Sequence, residues 1–253
     1  MKISIVTIVY NNEASIETTL KSVFSQTYSD IEYIVIDGGS TDATNTIINK
    51  YIDKIDYYIS EKDNGLYNAL NKGIKAATGD VVGILHSDDI FYSQNTIEDI
   101  AKSFNDPSID LVYANGMYVE KEDISKVKRI YKGKIFKKIY LYCGWIPLHT
   151  TIYVKRSLFN MYGFYDETYR IASDYEISLR WFQENKIKKL FLNQWVVKMR
   201  LGGKSTTAKL QKLKSTEDLS IIKKKNLLGE FTLILKIIRK IPQYIITKLF
   251  KYK

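Results

Sequence analysis

Polar and acidic side chains directly follow three short apolar segments of the sequence. The segments and the residues that follow them are 3–9 with Tyr10 and Asn11, 31–36 with Asp37, and 81–85 with His86, Ser87, Asp88 and Asp89. Between these segments, apolar residues recur at helical spacing, a pattern that predicts βαβ units and an open parallel sheet. Ligands of such sheets bind beyond the carboxyl ends of the strands. The sequence therefore predicts a ligand site where these side chains meet.

The adjacent carboxylates of Asp88 and Asp89 are suited to a divalent cation. Mg²⁺ and Mn²⁺ prefer oxygen ligands, and in nucleotide sites they bind through one or two carboxylates together with substrate phosphates. The alternative is that both residues only begin a turn and cap the next helix. Asp37 and Tyr10-Asn11, which end neighbouring predicted strands, favour a nucleotide site.

The composition is that of a globular protein of the cytosol. With 253 residues, of which 45% are apolar, the chain can bury one substantial core. The single cysteine, Cys143, excludes an internal disulfide, and no zinc-type cluster occurs, so a reducing compartment is favoured. The N-terminus has no signal-peptide pattern, and the longest uncharged stretch, residues 139–154, is shorter than the ~20 residues that span a bilayer. We therefore expect no transmembrane helix.

Positive charge is concentrated at the C-terminal end. Residues 1–197 hold 23 Lys and Arg against 25 Asp and Glu, whereas residues 198–253 hold 15 against 3. We divide the chain into a domain of residues 1–215 and a tail of residues 216–253. Such a basic tail could bind nucleic acid or an anionic membrane.

The pattern within the tail favours a membrane surface. One predicted helical face is apolar, and its members are Phe231, Ile234, Leu235, Ile238, Ile241, Ile245 and Leu249. The other face is basic, and its members are Lys236, Arg239, Lys240, Lys248 and Lys251. This is typical of an amphipathic helix on anionic lipid, which Pro242 should kink or divide. The alternative is a helix packed on the first domain with a solvated basic face. Nucleic acid is disfavoured because the apolar residues are mainly aliphatic and cannot stack on bases.

Four motifs in the first half resemble those of family 2 glycosyltransferases. They are residues 4–11 (SIVTIVYN), 36–42 (IDGGSTD), 67–73 (YNALNKG) and 85–89 (LHSDD). The resemblance covers about residues 1–205. It implies an α/β GT-A fold, a mostly parallel sheet flanked by helices, that binds a nucleotide sugar, uses Mn²⁺ or Mg²⁺, and inverts the anomeric centre.

The resemblance also implies roles for residues on the donor side. Tyr10 and Asn11 would lie beside the donor base, and Asp37 would hydrogen-bond uracil or ribose. Asn71 and Lys72 would complete this pocket, although an ordinary surface lysine is the alternative for Lys72.

The metal motif departs from the family pattern at one position. Asp88 matches the last acid of a D-x-D motif, with Ser87 before it on the donor side and Asp89 beside it as a second ligand. His86 stands where the first Asp is usual. It could contact ribose or be a hydrogen-bonded side chain on the rim of the crevice.

Residues 163–176 resemble the family segment that carries the catalytic base, and Asp174 is our candidate. A carboxylate in the first turn of a helix is favoured by the helix dipole, although an ordinary helix cap is the alternative. His149 matches a histidine found before this segment in relatives, and could contact acceptor or metal or be a buried hydrogen-bonded residue. Residues 202–205, with Lys204, could fold over the diphosphate, or form a mobile surface loop.

These expectations define a metal-dependent, inverting hexosyl- or N-acetylhexosaminyltransferase. It would use a nucleoside diphosphate sugar, with UDP favoured, and a saccharide or lipid-linked acceptor in bacterial surface polysaccharide synthesis, such as O-antigen or capsule. We expect a cytoplasmic protein that is peripheral on the inner face of the cell membrane. The alternatives are a non-catalytic nucleotide-binding scaffold and a sugar nucleotidyltransferase, although the latter usually has a glycine-rich basic loop after the first strand. A Rossmann dehydrogenase is disfavoured because no G-x-G-x-x-G follows that strand.

Overall fold

The computed structural model describes residues 1–202 and 208–249. Its strands are β1 (Ile3–Val9), β2 (Ile31–Asp37), β3 (Tyr57–Ser60), β4 (Val81–Ile84), β5 (Ile90–Phe91), β6 (Leu111–Val119), β7 (Val127–Tyr131), β8 (Ile152–Lys155) and β9 (Lys189–Arg200). Its helices are α1 (Ile16–Phe24), α2 (Thr44–Asn49), α3 (Leu66–Ala76), α4 (Thr96–Ser103), α5 (Ile139–Tyr142), α6 (Ser157–Tyr162), α7 (Ser173–Gln183), α8 (Ala208–Lys224), α9 (Glu230–Ile238) and α10 (Lys240–Leu249). Short 3₁₀ helices occupy Ile52–Lys54 and His149–Thr151.

The strands form one sheet in the order β3-β2-β1-β4-β8-β6-β9-β5, with β7 paired to β6. The first four strands in this order are parallel. β8 runs antiparallel between β4 and β6, and β9 is parallel to β6. This confirms the predicted α/β fold with helices flanking the sheet.

Both faces of the sheet are covered, which explains why the central strands are almost wholly apolar. All seven residues of β1 are buried. One core cluster includes residues of α3, α6, α7 and α8, and the other includes residues of α1, α2 and α4. Gly73 permits the close packing of α3 on β1, because a Cβ there would lie 2.4 Å from Cγ1 of Val6.

The basic and weakly periodic sequence of residues 121–138 predicts a loop or short helices, and this prediction is wrong for the central part. β7 is a strand that pairs antiparallel with residues 116–119 of β6. Its apolar residues are Val127, Ile130 and Tyr131, with Lys128 and Arg129 between them, so the strand pattern is weak, and pairing with β6 provides the hydrogen bonds. The edge strand β3 was not anticipated either, because it has only four residues, half-buried or exposed.

The C-terminal helices pack on the rest of the molecule. α8 runs across the proposed boundary at residue 215, and its Ile221 and Ile222 are fully buried in the core. The tail is divided at Arg239, and Pro242 lies in the first turn of α10, where its missing N–H costs no helical hydrogen bond. Nothing tests the division into two domains, which stays a prediction. No helix in the described ranges has the length and apolarity needed to cross a membrane.

The predicted basic face of the tail is wrong for two of its members. The Lys236 ammonium is buried beside Asp218, with its Nζ 2.7 Å from Oδ2, and lies 3.2 Å from the centre of the Tyr175 ring. Arg239 donates a hydrogen bond to the carbonyl of Gly144 at 3.0 Å. Ion pairing and ring contact offset the cost of burying these cations, so they face the protein. Lys251 and the side chain of Lys248 lie outside the described part.

Candidate active site

The carboxyl ends of β1 and β2 lie side by side at one edge of the sheet, and we call the loops that follow them the donor side of the candidate site. The Tyr10 side chain is 48% exposed at the end of β1, and its ring lies against Gly38, where a Cβ would be 3.5 Å from it. Oδ2 of Asp63 would be 2.9 Å from the same Cβ, so the backbone at Gly38 is closely approached from two sides. An open aromatic ring next to bare backbone is a surface on which a planar base can stack.

Asp37 and Asn11 shape the loops of this side. Asp37 is fully buried, and its Oδ2 accepts hydrogen bonds from the backbone N–H of Gly39 and Ser40, at 3.2 and 2.9 Å, and from the hydroxyl of Ser60 at 2.6 Å. Asn11 has a φ of 48°, and its Oδ1 accepts from the N–H of Thr41 at 2.8 Å. Their contact with a nucleotide stays a prediction.

Asn71 and Lys72 on α3 both have protein partners. Asn71 is buried, and its amide exchanges hydrogen bonds with the N–H and carbonyl of Tyr165, at 3.0 and 2.9 Å. Lys72 forms ion pairs with Asp63 at 2.6 Å and Glu61 at 2.7 Å. Asn71 therefore ties α3 to the segment before α7, whereas the Lys72 ammonium lies beside Asp63 on the donor side. A ligand contact by either residue stays a prediction.

The metal motif follows β4. Asp88 is half-buried, and within the described ranges its carboxylate has no hydrogen-bond or ion-pair partner. Its carbonyl accepts a hydrogen bond from Arg200 at 2.6 Å, which fixes the motif to the end of β9. Ser87 accepts from the amide of Asn12 at 3.0 Å, so its hydroxyl is tied to the loop after β1.

Asp88 and Asp89 fit a divalent cation to different degrees. Asp89 is only 1% exposed, and burial, with the charge of Asp88, raises its pKa well above the ordinary value. The described residues contain no cluster of three His, Cys, Asp or Glu side chains that could hold a metal. A single accessible carboxylate can nevertheless bind Mg²⁺ or Mn²⁺ when substrate phosphates and water supply the other oxygen ligands. Asp88 fits this role, and Asp89 as a second ligand stays a prediction.

The candidate base lies in the first turn of α7. Oδ2 of Asp174 is 3.4 Å from Nδ1 of His149, and Oδ1 accepts a hydrogen bond from the Tyr67 hydroxyl at 3.3 Å. Nζ of Lys214, on α8, is 4.0 Å from the same Oδ1. The carboxylate is thus surrounded by groups that favour its ionised form.

The two histidines of the chain connect the metal motif to this base. Nε2 of His86 is 3.0 Å from Nε2 of His149, whose other ring nitrogen faces Asp174. The antiparallel pairing of β4 with β8 explains the contact, because His86 follows β4 and His149 precedes β8. Both residues are hydrogen-bonded side chains, and a contact of either with ribose, acceptor or metal stays a prediction.

The electrostatics of this group keep Asp174 charged and the histidines neutral. Burial raises the pKa of Asp174, but the positive charges of Lys214, of His149 once acid has protonated it, and of Lys236 outweigh burial and lower the pKa to about 2. Burial lowers the pKa of His149 to about 4 and also lowers the pKa of His86. A neutral His149 can donate from Nδ1 to Asp174 while its Nε2 accepts from His86.

Sequence reasoning missed several residues of the site. Tyr67 opens the third motif and could have been found there, and Asp63 lies just before it. Lys214 and Arg200 had no such signal, since lysine and arginine are common in this part of the chain. Residues 203–207, with Lys204, lie outside the described part, so the interpretation of that segment stays a prediction.

The fold is of the GT-A type found in solved glycosyltransferases. The chain superimposes on S. aureus TarS 1–349 in complex with UDP-GlcNAc with a TM-score of 0.65, at 18% identity, covering 92% of this chain and 69% of that one. It superimposes on the mannosyltransferase PcManGT of Pyrobaculum calidifontis, in complex with GDP-Man and Mn²⁺, with a TM-score of 0.69, at 17% identity, covering 97% and 73%.

The sequence places the chain within a family. Residues 4–162 match the model for glycosyl transferase family 2, and the chain belongs to that family. It is 29% identical to an uncharacterized glycosyltransferase of Rickettsia prowazekii, over 86% of this chain and 70% of that protein. It is also 29% identical to a PGL/p-HBAD biosynthesis glycosyltransferase of Mycobacterium tuberculosis, over 81% and 79%.

Proposed function

We propose that this glycosyltransferase moves a sugar from a nucleoside diphosphate sugar to a hydroxyl of a saccharide acceptor, with inversion at the anomeric carbon. The observation that carries the proposal is the contact chain from the metal motif through His86 and His149 to Asp174. This chain links the half-buried carboxylate of Asp88 to the ionised carboxylate of Asp174, although the two residues are far apart in sequence. A metal-bound diphosphate and an attacking hydroxyl need such a pair.

In this mechanism Asp174 acts as the general base. It takes the proton of the acceptor hydroxyl while that oxygen bonds to the anomeric carbon, and the nucleoside diphosphate leaves with the electron pair of the broken C–O bond. Tyr67 and His149 hold the carboxylate in place. When bound at Asp88, Mn²⁺ or Mg²⁺ would supply Lewis-acid stabilisation of the leaving diphosphate.

A UDP-sugar that carries a hexose or N-acetylhexosamine is the proposed donor. TarS binds UDP-GlcNAc and PcManGT binds GDP-Man with Mn²⁺, which supports a nucleotide sugar and a divalent ion but leaves the base open. Tyr10 and Gly38 offer the surface for that base. A saccharide acceptor carried on a lipid, in bacterial surface polysaccharide synthesis, is proposed from the apolar surface of the tail.

We propose that this surface docks on the cytoplasmic face of the cell membrane. Large apolar side chains, each 42–57% exposed, lie on the last two described helices and on the turn that precedes them: Leu228, Phe231, Ile234, Ile237, Ile238, Ile241, Tyr244 and Ile245. We call this set the apolar tail face. Exposed apolar patches of this kind mark protein or membrane contacts. The excess of 15 Lys and Arg over 3 Asp and Glu in residues 198–253 favours anionic lipid as the partner.

Donor binding and turnover test the proposed reaction. We expect one class among UDP-, GDP- and dTDP-sugars to raise the melting temperature, and only with Mn²⁺ or Mg²⁺. Asp88→Asn should abolish this metal-dependent shift, whereas Asp174→Asn should keep the shift and lower transfer or donor hydrolysis by about 10³-fold.

Asp106→Asn is the control, since Asp106 lies in a turn after α4. Metal-dependent turnover that survives Asp88→Asn or Asp174→Asn at the wild-type rate would contradict the assigned roles. Donor binding by the wild type without any turnover would instead favour the non-catalytic scaffold.

A further inference from the structure

One carboxylate from the C-terminal part of the chain holds the segment that leads to Asp174. Glu217, on α8, accepts hydrogen bonds from three successive backbone N–H groups, those of Arg170, Ile171 and Ala172, at 2.9, 3.0 and 2.9 Å. These residues directly precede α7, whose second residue is Asp174. The position of the base therefore depends on a residue more than forty positions downstream, as these contacts span 45 to 47 residues.

The beginning of α7 needs such an external acceptor. Its N-cap is Ala172, which has no side-chain oxygen and makes no capping hydrogen bond. The first N–H groups of a helix have no partner within the helix, and the helix dipole makes a negative charge favourable there. Hydrogen bonds to a carboxylate are about twice as strong as those between neutral groups. Glu217 binds the N–H of the N-cap residue Ala172 and those of the two residues before it, so it places a negative charge beside the helix N-terminus and fixes the backbone as α7 begins.

The helix that carries Glu217 is itself firmly held. Ile221 and Ile222 are fully buried, and Asp218 pairs with the buried Lys236 of α9 at 2.7 Å. One turn before Glu217, Lys214 faces the carboxylate of Asp174 at 4.0 Å. The same rigid element therefore determines both where the base lies and which charge faces it.

We propose that Glu217 is a positioning residue for sugar transfer, which it assists by holding residues 170–172 so that Asp174 meets the acceptor hydroxyl. This inference rests on the proposed function, because it takes Asp174 as the base. Misplacing a reacting group by about 1 Å can cost about 10²-fold in rate. The donor side is formed by loops after β1 and β2 and by α3. Among the described residues, the hydrogen bonds of Glu217 go to residues 170–172 and not to these elements, so the effect should fall on turnover rather than on donor binding.

Glu217→Gln tests the inference against a matched control. We expect kcat to fall at least about tenfold while KM for the donor changes less than about twofold. The control is Glu32→Gln, because Glu32 also accepts from two successive backbone N–H groups, those of Thr78 and Gly79, at 2.8 and 3.3 Å. Glu32 lies in β2 at the end opposite Asp37, so its loss should lower the melting temperature without changing the kcat of the folded protein.

Each outcome bears on the inference. A kcat for Glu217→Gln equal to that of the wild type, or reduced only as in Glu32→Gln, would overturn it. If Glu217→Gln does not fold, Glu217→Asp decides, because it keeps the charge but shortens the side chain by one methylene. For this variant, a reduced kcat with an unchanged KM for the donor supports the inference, and a wild-type kcat overturns it. A wild type that transfers no sugar would remove the proposed function, whereas an active wild type with an equally active Glu217 variant would remove only this inference.

Discussion

Asp174 is ionised at neutral pH because opposite charge outweighs burial. The charged and titratable groups that face it come from several elements: Tyr67 of α3, His86 after β4, His149 before β8, Tyr165 before α7, Lys214 of α8 and Lys236 of α9. Lys214 makes the largest favourable contribution to a pKa of about 2. A base of this kind loses its function only in strong acid.

Lys214→Met should therefore shift the pH dependence of transfer. Without this positive charge the pKa of Asp174 rises, so protonation of the base begins at higher pH and the acidic limb of kcat/KM moves upward by about one pH unit. Lys214→Arg keeps the charge and should leave the limb unchanged. Rate profiles that extend from pH 8 down to pH 2 measure the effect, and coinciding limbs for Met and Arg would show that Lys214 does not act on the base.

Sequence reasoning identified those candidate site residues that lie within recognisable sequence motifs. Asp88 and Asp174 stand in recognisable segments, and the structure connects them through His86 and His149. Glu217 could not be found in this way, because its partners are backbone N–H groups, which no side-chain pattern records. Its role depends on a contact across the fold that the local sequence does not encode.

At the scale of elements, α9 and α10 are oriented by their polar contacts. Thr232 donates to the carbonyl of Tyr142 at 2.9 Å, and Arg129 of β7 donates to Gln243 at 2.6 Å. Hydropathy predicted an apolar face in the tail, and five of its members are exposed: Phe231, Ile234, Ile238, Ile241 and Ile245. Leu235 is half-buried, and the side chain of Leu249 lies outside the described part. Hydropathy could not predict that Lys236 turns inward, because this depends on Asp218 and Tyr175 as partners.

Substitutions in the apolar tail face should release the protein from lipid. We expect Phe231→Ser/Ile234→Ser/Ile241→Ser to lower flotation with phosphatidylglycerol vesicles at least about fivefold, because burial of apolar area provides most of the binding free energy. The control is Ile52→Ser/Met161→Ser, two residues outside this face that are 39% and 64% exposed. Equal flotation of the two variants would contradict membrane docking. A concentration-dependent dimer of the wild type that the triple variant abolishes and the control does not would also contradict it, because the apolar tail face would then bind a second copy of the chain.

At the scale of the whole molecule, the sheet order determines what meets at the candidate site. Parallel pairing of β1, β2 and β4 could be predicted from the alternation of strands and helices. The insertion of β8 between β4 and β6 could not, since neither neighbour is adjacent to it in sequence. That insertion brings His149 beside His86, and so the most informative contact of the site follows from topology rather than from a motif.

The thiol of Cys143, at the junction between α5 and α9, can report whether the C-terminal helices are docked. The single cysteine, half-buried Cys143, stands between Tyr142, whose carbonyl binds Thr232, and Gly144, where a Cβ would lie 2.7 Å from the backbone nitrogen of Lys236. Gly144→Val should force α9 away and speed alkylation of the thiol by iodoacetamide, measured by mass spectrometry. An unchanged alkylation rate would mean that the helix stays docked despite the added side chain. Detachment of the C-terminal helices can thus be followed with no label introduced.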